Sequence, residues 1–337
     1  MKCDTILVLD FGSQYCHLIG QRVREYNVYS ETVPHDITAQ EIEAMKEEFN
    51  VKGLILSGGP ASVYERDAPK CTLTLLELNL PMLGLCYGHQ LIAHMAEGKV
   101  KPATRREYGV ATVIIDRPLG VLKGLNRKEK VWMSHGDTVF ALPGNYEALA
   151  HSENTPVAAF RSKEKPIYGL QWHPEVVHTE HGALMLHNFV FNVCKCEPNW
   201  LMEDFIKTSV EEIKQTINGS KAIVALSGGI DSSTVTALAA QALGKNLTAV
   251  FVDHGFMRKG EPEFVEHAFG KLDLNFVSVN TQERFLQKLK GILDPEEKRK
   301  IIGREFVRVF ETQARTVGAE YLIQGTIYPD RIEARAR

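Results

Sequence analysis

The sequence predicts two consecutive α/β domains, the first built on a mixed sheet and the second on a Rossmann-like sheet of nucleotide-binding type. Three observations carry this expectation. The chain has 337 residues, beyond the size at which a single hydrophobic core usually keeps growing. Short apolar strands alternate with amphipathic helical stretches in two series, separated by a break near residue 196. Each series also contains a strand that runs into a glycine-rich turn and then a helix.

In chain order, residues 5–9 read as a strand, 14–25 and 39–48 as helices, and 53–56 as the next strand. Residues 80–83 form a strand that leads to a helix over 91–96. Between 108 and 171 the pattern changes to shorter strands with Gly and Pro turns, such as 110–115 and 157–160, so antiparallel members are expected in the sheet. A strand over 167–170 and a helical run over 183–193 close the first series. Cys196, Glu197, Pro198 and Asn199 then interrupt the pattern, which predicts domains at 1–196 and 197–337. The second series opens with a helix over 200–217 and continues with strands over 222–226, 247–252 and 276–279 and a helix from about residue 231. No internal repeat or low-complexity segment is present.

With 44% hydrophobic and 24% charged residues and a formal net charge of -3, the composition is that of an ordinary globular protein. It excludes a nucleic-acid coat. No stretch reaches the roughly 18 apolar residues of a membrane helix, and the first apolar run is too early and short for a signal peptide. A cytoplasmic location is expected. The six cysteines are too sparse for a disulfide framework and read as free thiols, with Cys194 and Cys196 as structural residues.

The first chemically informative segment is Gly84, Leu85, Cys86, Tyr87, Gly88, His89, Gln90, between a strand and a helix. Glycines two residues either side of Cys86 allow the tight turn of a nucleophile elbow, with Cys in place of Ser. A lone cysteine is usually a small core residue; the strand, the glycine bracket and the helix together argue otherwise. Gln171, Trp172, His173, Pro174 and Glu175 supply a base, His173, and a carboxylate, Glu175, able to hold the imidazole in the productive tautomer. Ser57, Gly58, Gly59 and Pro60 follow a strand, so the N–H of Gly59 can share an oxyanion hole with that of Tyr87. Taken alone, that last segment would be a simple Gly-Pro turn.

These three segments resemble the class I, or triad, glutamine amidotransferases. The resemblance implies that the Cys86 thiolate attacks the glutamine carboxamide, that ammonia leaves, and that water hydrolyses a γ-glutamyl thioester. It gives His173 and Glu175 the supporting roles and Gln90 a glutamine-binding one.

The second segment is Ser227, Gly228, Gly229, Ile230, Asp231, Ser232, Ser233, after a strand and before a helix rich in Ala and Leu. Small residues expose backbone N–H groups, hydroxyls add donors, and the helix dipole favours an anion there. Asp231 would repel phosphate unless a cation lay between them, which assigns it to Mg²⁺. The bland alternative is a Gly-Ser turn with Asp as a helix cap. The loop lacks the Lys of GxxxxGK[ST], and it resembles the N-type ATP pyrophosphatases, which release AMP and pyrophosphate.

In order and spacing, the two sites resemble the glutamine-hydrolysing GMP synthetase family. The resemblance extends to Asp10–Tyr15, Ser57–Tyr64, Glu107–Gly109, Val131–Asp137, His173–Thr179, Phe251–Gly260, Asp294–Phe306 and Gly325–Asp330. It implies that ATP with Mg²⁺ adenylates xanthosine monophosphate (XMP) and that ammonia displaces AMP to give GMP. It makes Lys298, Arg299 and Lys300, otherwise a solvated basic run, part of a mobile lid, with Arg299 contacting XMP. The family is homodimeric through a C-terminal domain. This chain stops at Arg337 and reads Ala334, Arg335, Ala336, Arg337 where the family has Ser and Gly, so a partial pyrophosphatase domain without the dimerisation domain is expected. Substrates would be glutamine, XMP and ATP, with no nucleic acid or membrane partner.

Two alternatives stay open at this point, a chain with glutaminase activity only and a nucleotide-binding regulatory protein. An NAD synthetase shares the SGG-type loop but has a nitrilase-type glutaminase, and carbamoyl phosphate or CTP synthetases lack the loop.

Overall fold

The computed structural model describes residues 2–325. Residues 326–330 of the Gly325–Asp330 segment, and the terminal Glu333–Arg337, lie outside the described residues. The chain divides into two compact units between Met202 and Glu203.

The first unit runs β1 (Asp4–Asp10), α1 (Cys16–Arg24), β2 (Tyr29–Pro34), α2 (Ala39–Met45), β3 (Asn50–Leu56), β4 (Met82–Leu85), α3 (Tyr87–Met95), β5 (Lys99–Ile115), β6 (Lys128–Ala141), β7 (Tyr146–His151), β8 (Ala159–Ser162), β9 (Ile167–Leu170) and α4 (Gly182–His187). Its nine strands form one sheet in the order β2-β1-β3-β4-β9-β8-β7-β5-β6. β2, β1, β3, β4 and β9 are parallel neighbours, and β9 through β6 pair antiparallel. The sheet is therefore mixed. Successive residues of β1 enter different cores: Ile6 and Val8 pack on one face, Leu7 and Leu9 on the other. That two-sided burial is why the parallel strands read as unbroken apolar runs.

Local chemistry sets the element ends. Thr38 caps α2 in a reciprocal capping box with Glu41. The helix expected over 39–48 stops at Met45. The region read as short strands does hold the short β7, β8 and β9, but it also takes in a 17-residue strand, β5, and a 14-residue strand, β6. They form an antiparallel ribbon whose register breaks between Pro102 and Glu107. Charged and polar residues along the ribbon's exposed face hide its length from a count of apolar residues. The run over 183–193 is α4 followed by a π-helical turn over Asn188–Val193. Residues 197–200 stay tied to the first unit: Glu197 N–H donates to Asp4 Oδ2 (2.8 Å), Asp4 N–H to Asn199 Oδ1 (2.9 Å), and Trp200 N–H to Asn27 O (2.9 Å).

The second unit runs α5 (Met202–Ile217), β10 (Ala222–Leu226), α6 (Ile230–Leu243), β11 (Leu247–Asp253), α7 (Glu261–Phe269), β12 (Asn275–Asn280), α8 (Gln282–Leu289), α9 (Pro295–Val317) and β13 (Tyr321–Ile323). The strands are parallel in the order β12-β11-β10-β13. The chain steps from β10 to β11 to β12 in one direction and then returns to the far side of β10. This puts a topological switch point between β10 and β13, where parallel sheets of this kind bind ligands at their carboxyl ends. The segment carrying Lys298, Arg299 and Lys300, expected in a lid, is the start of α9, a 23-residue helix that Asp294 caps and Pro295 opens. Among the described residues no helix is long and apolar enough to cross a membrane.

Candidate active site

Strand β4 ends at Leu85 and α3 begins at Tyr87, so Cys86 alone makes the turn, with φ 51° and ψ −101°. A non-glycine residue at positive φ is strained and persists only when its surroundings over-determine it. Here they do: Cys86 N–H donates to Leu170 O (2.8 Å) and Gly88 N–H to Ser57 O (3.1 Å). A Cβ on Gly84 would stand 2.4 Å from Gly88 O, and one on Gly88 would stand 2.4 Å from Leu56 O. The bracket is thus a requirement of packing between β3, β4 and α3 as well as of the turn.

His173 follows β9, and its backbone is held by neighbours. Its N–H donates to Trp132 O (3.1 Å), and Thr179 Oγ1 donates to its carbonyl (2.6 Å). The Tyr15 ring meets the imidazole edge-on at 5.2 Å. His173 Nδ1 lies 2.7 Å from Glu175 Oε1, and the imidazole is within hydrogen-bonding reach of the Cys86 side chain. Burial pushes the pKa of His173 down, but the hydrogen bonds and charges of Cys86 and Glu175 outweigh it and raise the value from 6.5 to about 10. Glu175 is 1% exposed. The structure brings Cys86, His173 and Glu175 into one hydrogen-bonded line.

A cavity of ≈ 610 Å³ opens over Cys86 and His173, lined also by Gly59, Tyr87, Gln90 and Asp137. Gly59 cannot carry a side chain, since a Cβ would stand 2.6 Å from Phe11 O. Tyr87 is the first residue of α3, so its N–H belongs to the helix end that has no partner one turn earlier. Gln90 is 3% exposed and donates from Nε2 to Asp137 O (2.9 Å) and to Gln171 Oε1 (3.1 Å). Ser134 and Gln171 also reach the sulfur: Cys86 Sγ lies 3.5 Å from Ser134 O, and Gln171 Nε2 lies 3.8 Å from Sγ. Tyr15, Ser134, Gln171 and Thr179 all stand in segments that the sequence singles out, yet nothing in the sequence gives them a role. No spacing rule links Tyr15, Ser134 or Gln171 to the partners they meet, which come from other parts of the sheet, whereas Thr179 is only six residues from His173.

In the second unit, Ser227–Ser233 joins β10 to α6 at the switch point. Gly228 has φ 82°, and Gly229 is the N-cap residue of α6. Ser232 Oγ accepts from Ser227 N–H (3.2 Å) and contacts Ser227 Oγ (3.0 Å). Gly229 N–H donates to Ser227 Oγ at 3.3 Å. The loop thus holds itself open with its own hydroxyls. Ile230 and Asp231 face solvent in the first turn of α6, and Gly325 after β13 lies close to Asp231 O. Mg²⁺ takes one or two carboxylates and completes its shell with phosphate oxygens and water, so one exposed carboxylate beside a phosphate cradle fits that ion. Arg299 is bound on its own helix, donating from Nε and Nη2 to the Glu296 carboxylate (both 2.9 Å).

Comparison with known proteins bears on both units. Residues 7–193 match the family of class-I glutamine amidotransferases, and residues 201–300 match the family described as NAD synthase. The chain is 47% identical over 338 residues to a glutamine-hydrolysing GMP synthase of Clostridium botulinum, covering 99% of this chain and 65% of that protein. It is 49% identical over 333 residues to the Bacillus cereus protein of the same name, covering 98% of this chain and 64% of the relative. The chain therefore spans somewhat less than two thirds of these relatives. A solved structure from Thermoplasma acidophilum, described as one of the subunits of GMP synthase, aligns with a TM-score of 0.52 at 30% identity. The alignment covers 62% of this chain and 99% of that one.

Proposed function

The chain belongs to the class-I glutamine amidotransferase family, and from that premise we propose that its first unit hydrolyses glutamine with Cys86 as nucleophile, His173 as base and acid, and Glu175 as the group that orients the imidazole. The observation that carries this reading is the buried line from Cys86 through His173 to Glu175, with a 2.7 Å contact at its far end. His173 takes the thiol proton, and the sulfur attacks the carboxamide carbon. The carbonyl oxygen gains charge and is met by the N–H groups of Gly59 and Tyr87. His173 returns the proton to the leaving ammonia. Water, deprotonated by His173, then cleaves the thioester to glutamate and the free thiol. Gln90 belongs to the glutamine pocket in this reading.

For residues 197–337 we propose an N-type ATP pyrophosphatase domain acting with the first, 1–196. Ser227, Gly228, Gly229, Ile230, Ser232 and Ser233 would hold the β and γ phosphates of ATP by backbone N–H and hydroxyl groups at the start of α6. Asp231 would hold Mg²⁺, which offsets phosphate charge when bound. XMP would be adenylated and ammonia would displace AMP to give GMP, with Arg299 reaching XMP by exchanging its contact to Glu296. The names of the relatives at 47% and 49% identity support this substrate set. All six cysteines are free thiols, in keeping with a cytoplasmic enzyme.

The test is GMP formation from XMP, Mg·ATP and ammonium, measured beside glutamine hydrolysis. GMP appearing with AMP and pyrophosphate supports the whole reading. Glutamine hydrolysis without GMP reduces it to the glutaminase alone, and neither activity removes it.

A further inference from the structure

The first unit holds a second buried acid–imidazole contact, outside the Cys86–His173–Glu175 line. Glu107 sits on β5 where its register with β6 breaks, and it is 9% exposed. Its carboxylate accepts from Ser152 Oγ (2.9 and 3.1 Å), Asn154 Nδ2 (3.3 Å) and Thr155 Oγ1 (2.7 Å). Oε2 also lies 3.2 Å from His135 Nε2, an ion-pair contact off the ideal hydrogen-bond line. Burial raises the Glu107 pKa, but His135, Thr155, Ser152 and Asn154 outweigh it and hold the carboxyl at about 2. A buried carboxylate is costly unless partners meet its lone pairs, and here β6 and the turn between β7 and β8 supply them.

His135 points its other nitrogen, Nδ1, at Asp137 O, 2.8 Å away. A carbonyl oxygen only accepts, so Nδ1 carries a proton and donates it there. The same Asp137 carbonyl fixes the next groups. It can accept only from the NH₂ end of Gln90 (2.9 Å), whose second proton goes to Gln171 Oε1 (3.1 Å). Gln171 is left presenting Nε2 to Cys86 Sγ at 3.8 Å. A continuous chain of oriented groups thus runs from Glu107 to the sulfur, and Ser134 O on the same strand lies 3.5 Å from it.

We infer that Glu107 and His135 are positioning residues of the glutamine site: the pair locks strand residues 134–137 and, through Asp137 O, the Gln90 and Gln171 amides that wall the cavity beside Cys86. The inference rests on the reading of this site as a glutaminase. It gives a use to Glu107–Gly109 and Val131–Asp137, two segments that the triad leaves unexplained. The groups facing His135 are Glu107 from β5, His89 from α3, and Asp137 on its own strand, which Tyr64 Oη also meets at 2.8 Å.

The experiment is glutamine hydrolysis by the full chain and by Glu107→Gln, which keeps the side-chain shape and removes the charge. In the variant, KM should rise about tenfold with kcat within about threefold of the wild type. A kcat that falls as far as KM rises indicates a merely structural role and overturns the inference, as does a fall in kcat with KM unchanged or a KM within about twofold of the wild-type value. Nitrogen NMR of the wild-type His135 ring provides a readout that needs no variant and no activity. A proton on Nδ1 supports the inference, and a bare Nδ1 overturns it. Absence of hydrolysis in the wild type would instead sink the glutaminase reading.

Discussion

The two glycine turns of this protein have the same plan, a strand end followed by a helix start, and opposite packing. At Gly84–Gly88 the turn is closed on every side: Cys86 is 4% exposed, and added Cβ atoms at Gly84 and Gly88 would meet backbone oxygens at 2.4 Å. At Ser227–Ser233 the turn is open: Ile230 is 82% exposed, and a Cβ on Gly229 would find its nearest neighbour, Ser227 Oγ, at 3.4 Å. A covalent nucleophile must be aimed before substrate arrives, so its elbow is built into the core. A phosphate cradle only has to present donors, and the loop's own serines suffice to keep it open.

The sharpest break of this comparison is Cys86→Ala. Glutamine hydrolysis should fall by roughly 10⁶-fold, while ATP binding measured by calorimetry stays at the wild-type level. Unchanged turnover would remove the nucleophile assignment. Next comes Glu175→Gln, which leaves His173 without its carboxylate and should lower kcat for hydrolysis by roughly 10³-fold or more. It also has a signature in stability. The His173 pKa is raised from 6.5 to about 10 by Cys86 and Glu175 against the effect of burial. The folded chain therefore keeps a proton that the unfolded chain loses, and this stabilisation is fully present below pH 6.5 and is lost as pH rises toward 10. Urea midpoints of the wild type should decline over that window more steeply than those of the variant.

Gly88→Ala tests the closed turn by itself. It should cost about 3 kcal/mol of stability, read as a lower urea midpoint, whereas Gly229→Ala in the open loop should cost less than about 1 kcal/mol. Equal losses would mean that the two turns do not differ as described. Asp231→Ala should weaken Mg·ATP binding about tenfold and leave glutamine hydrolysis untouched; an unchanged calorimetric titration would sink the Mg²⁺ assignment.

Much of this was legible from short-range pattern. The parallel strands announced themselves because both faces of the sheet are covered. The β5–β6 ribbon was not legible in the same way. Only Glu107, Val113 and Ile115 of β5 are buried, so it carries little apolar pattern, and its pairing is broken between Pro102 and Glu107. Tyr15, Ser134 and Gln171 stayed without a role because what they touch lies far away in sequence.

By itself the sequence determined what is written into consecutive residues: two α/β units, a cysteine set in a glycine bracket, a histidine two residues before a carboxylate, and a serine-glycine loop before a helix. These follow from backbone sterics and local hydrogen bonding, which act over a turn or two. Only the tertiary structure decided that His173 meets Cys86, that Gln171 and Ser134 reach the sulfur, and that Glu107 lies against His135. Those contacts depend on the order in which strands pair, and strand order is set by the packing of two whole cores rather than by any local stretch of chain.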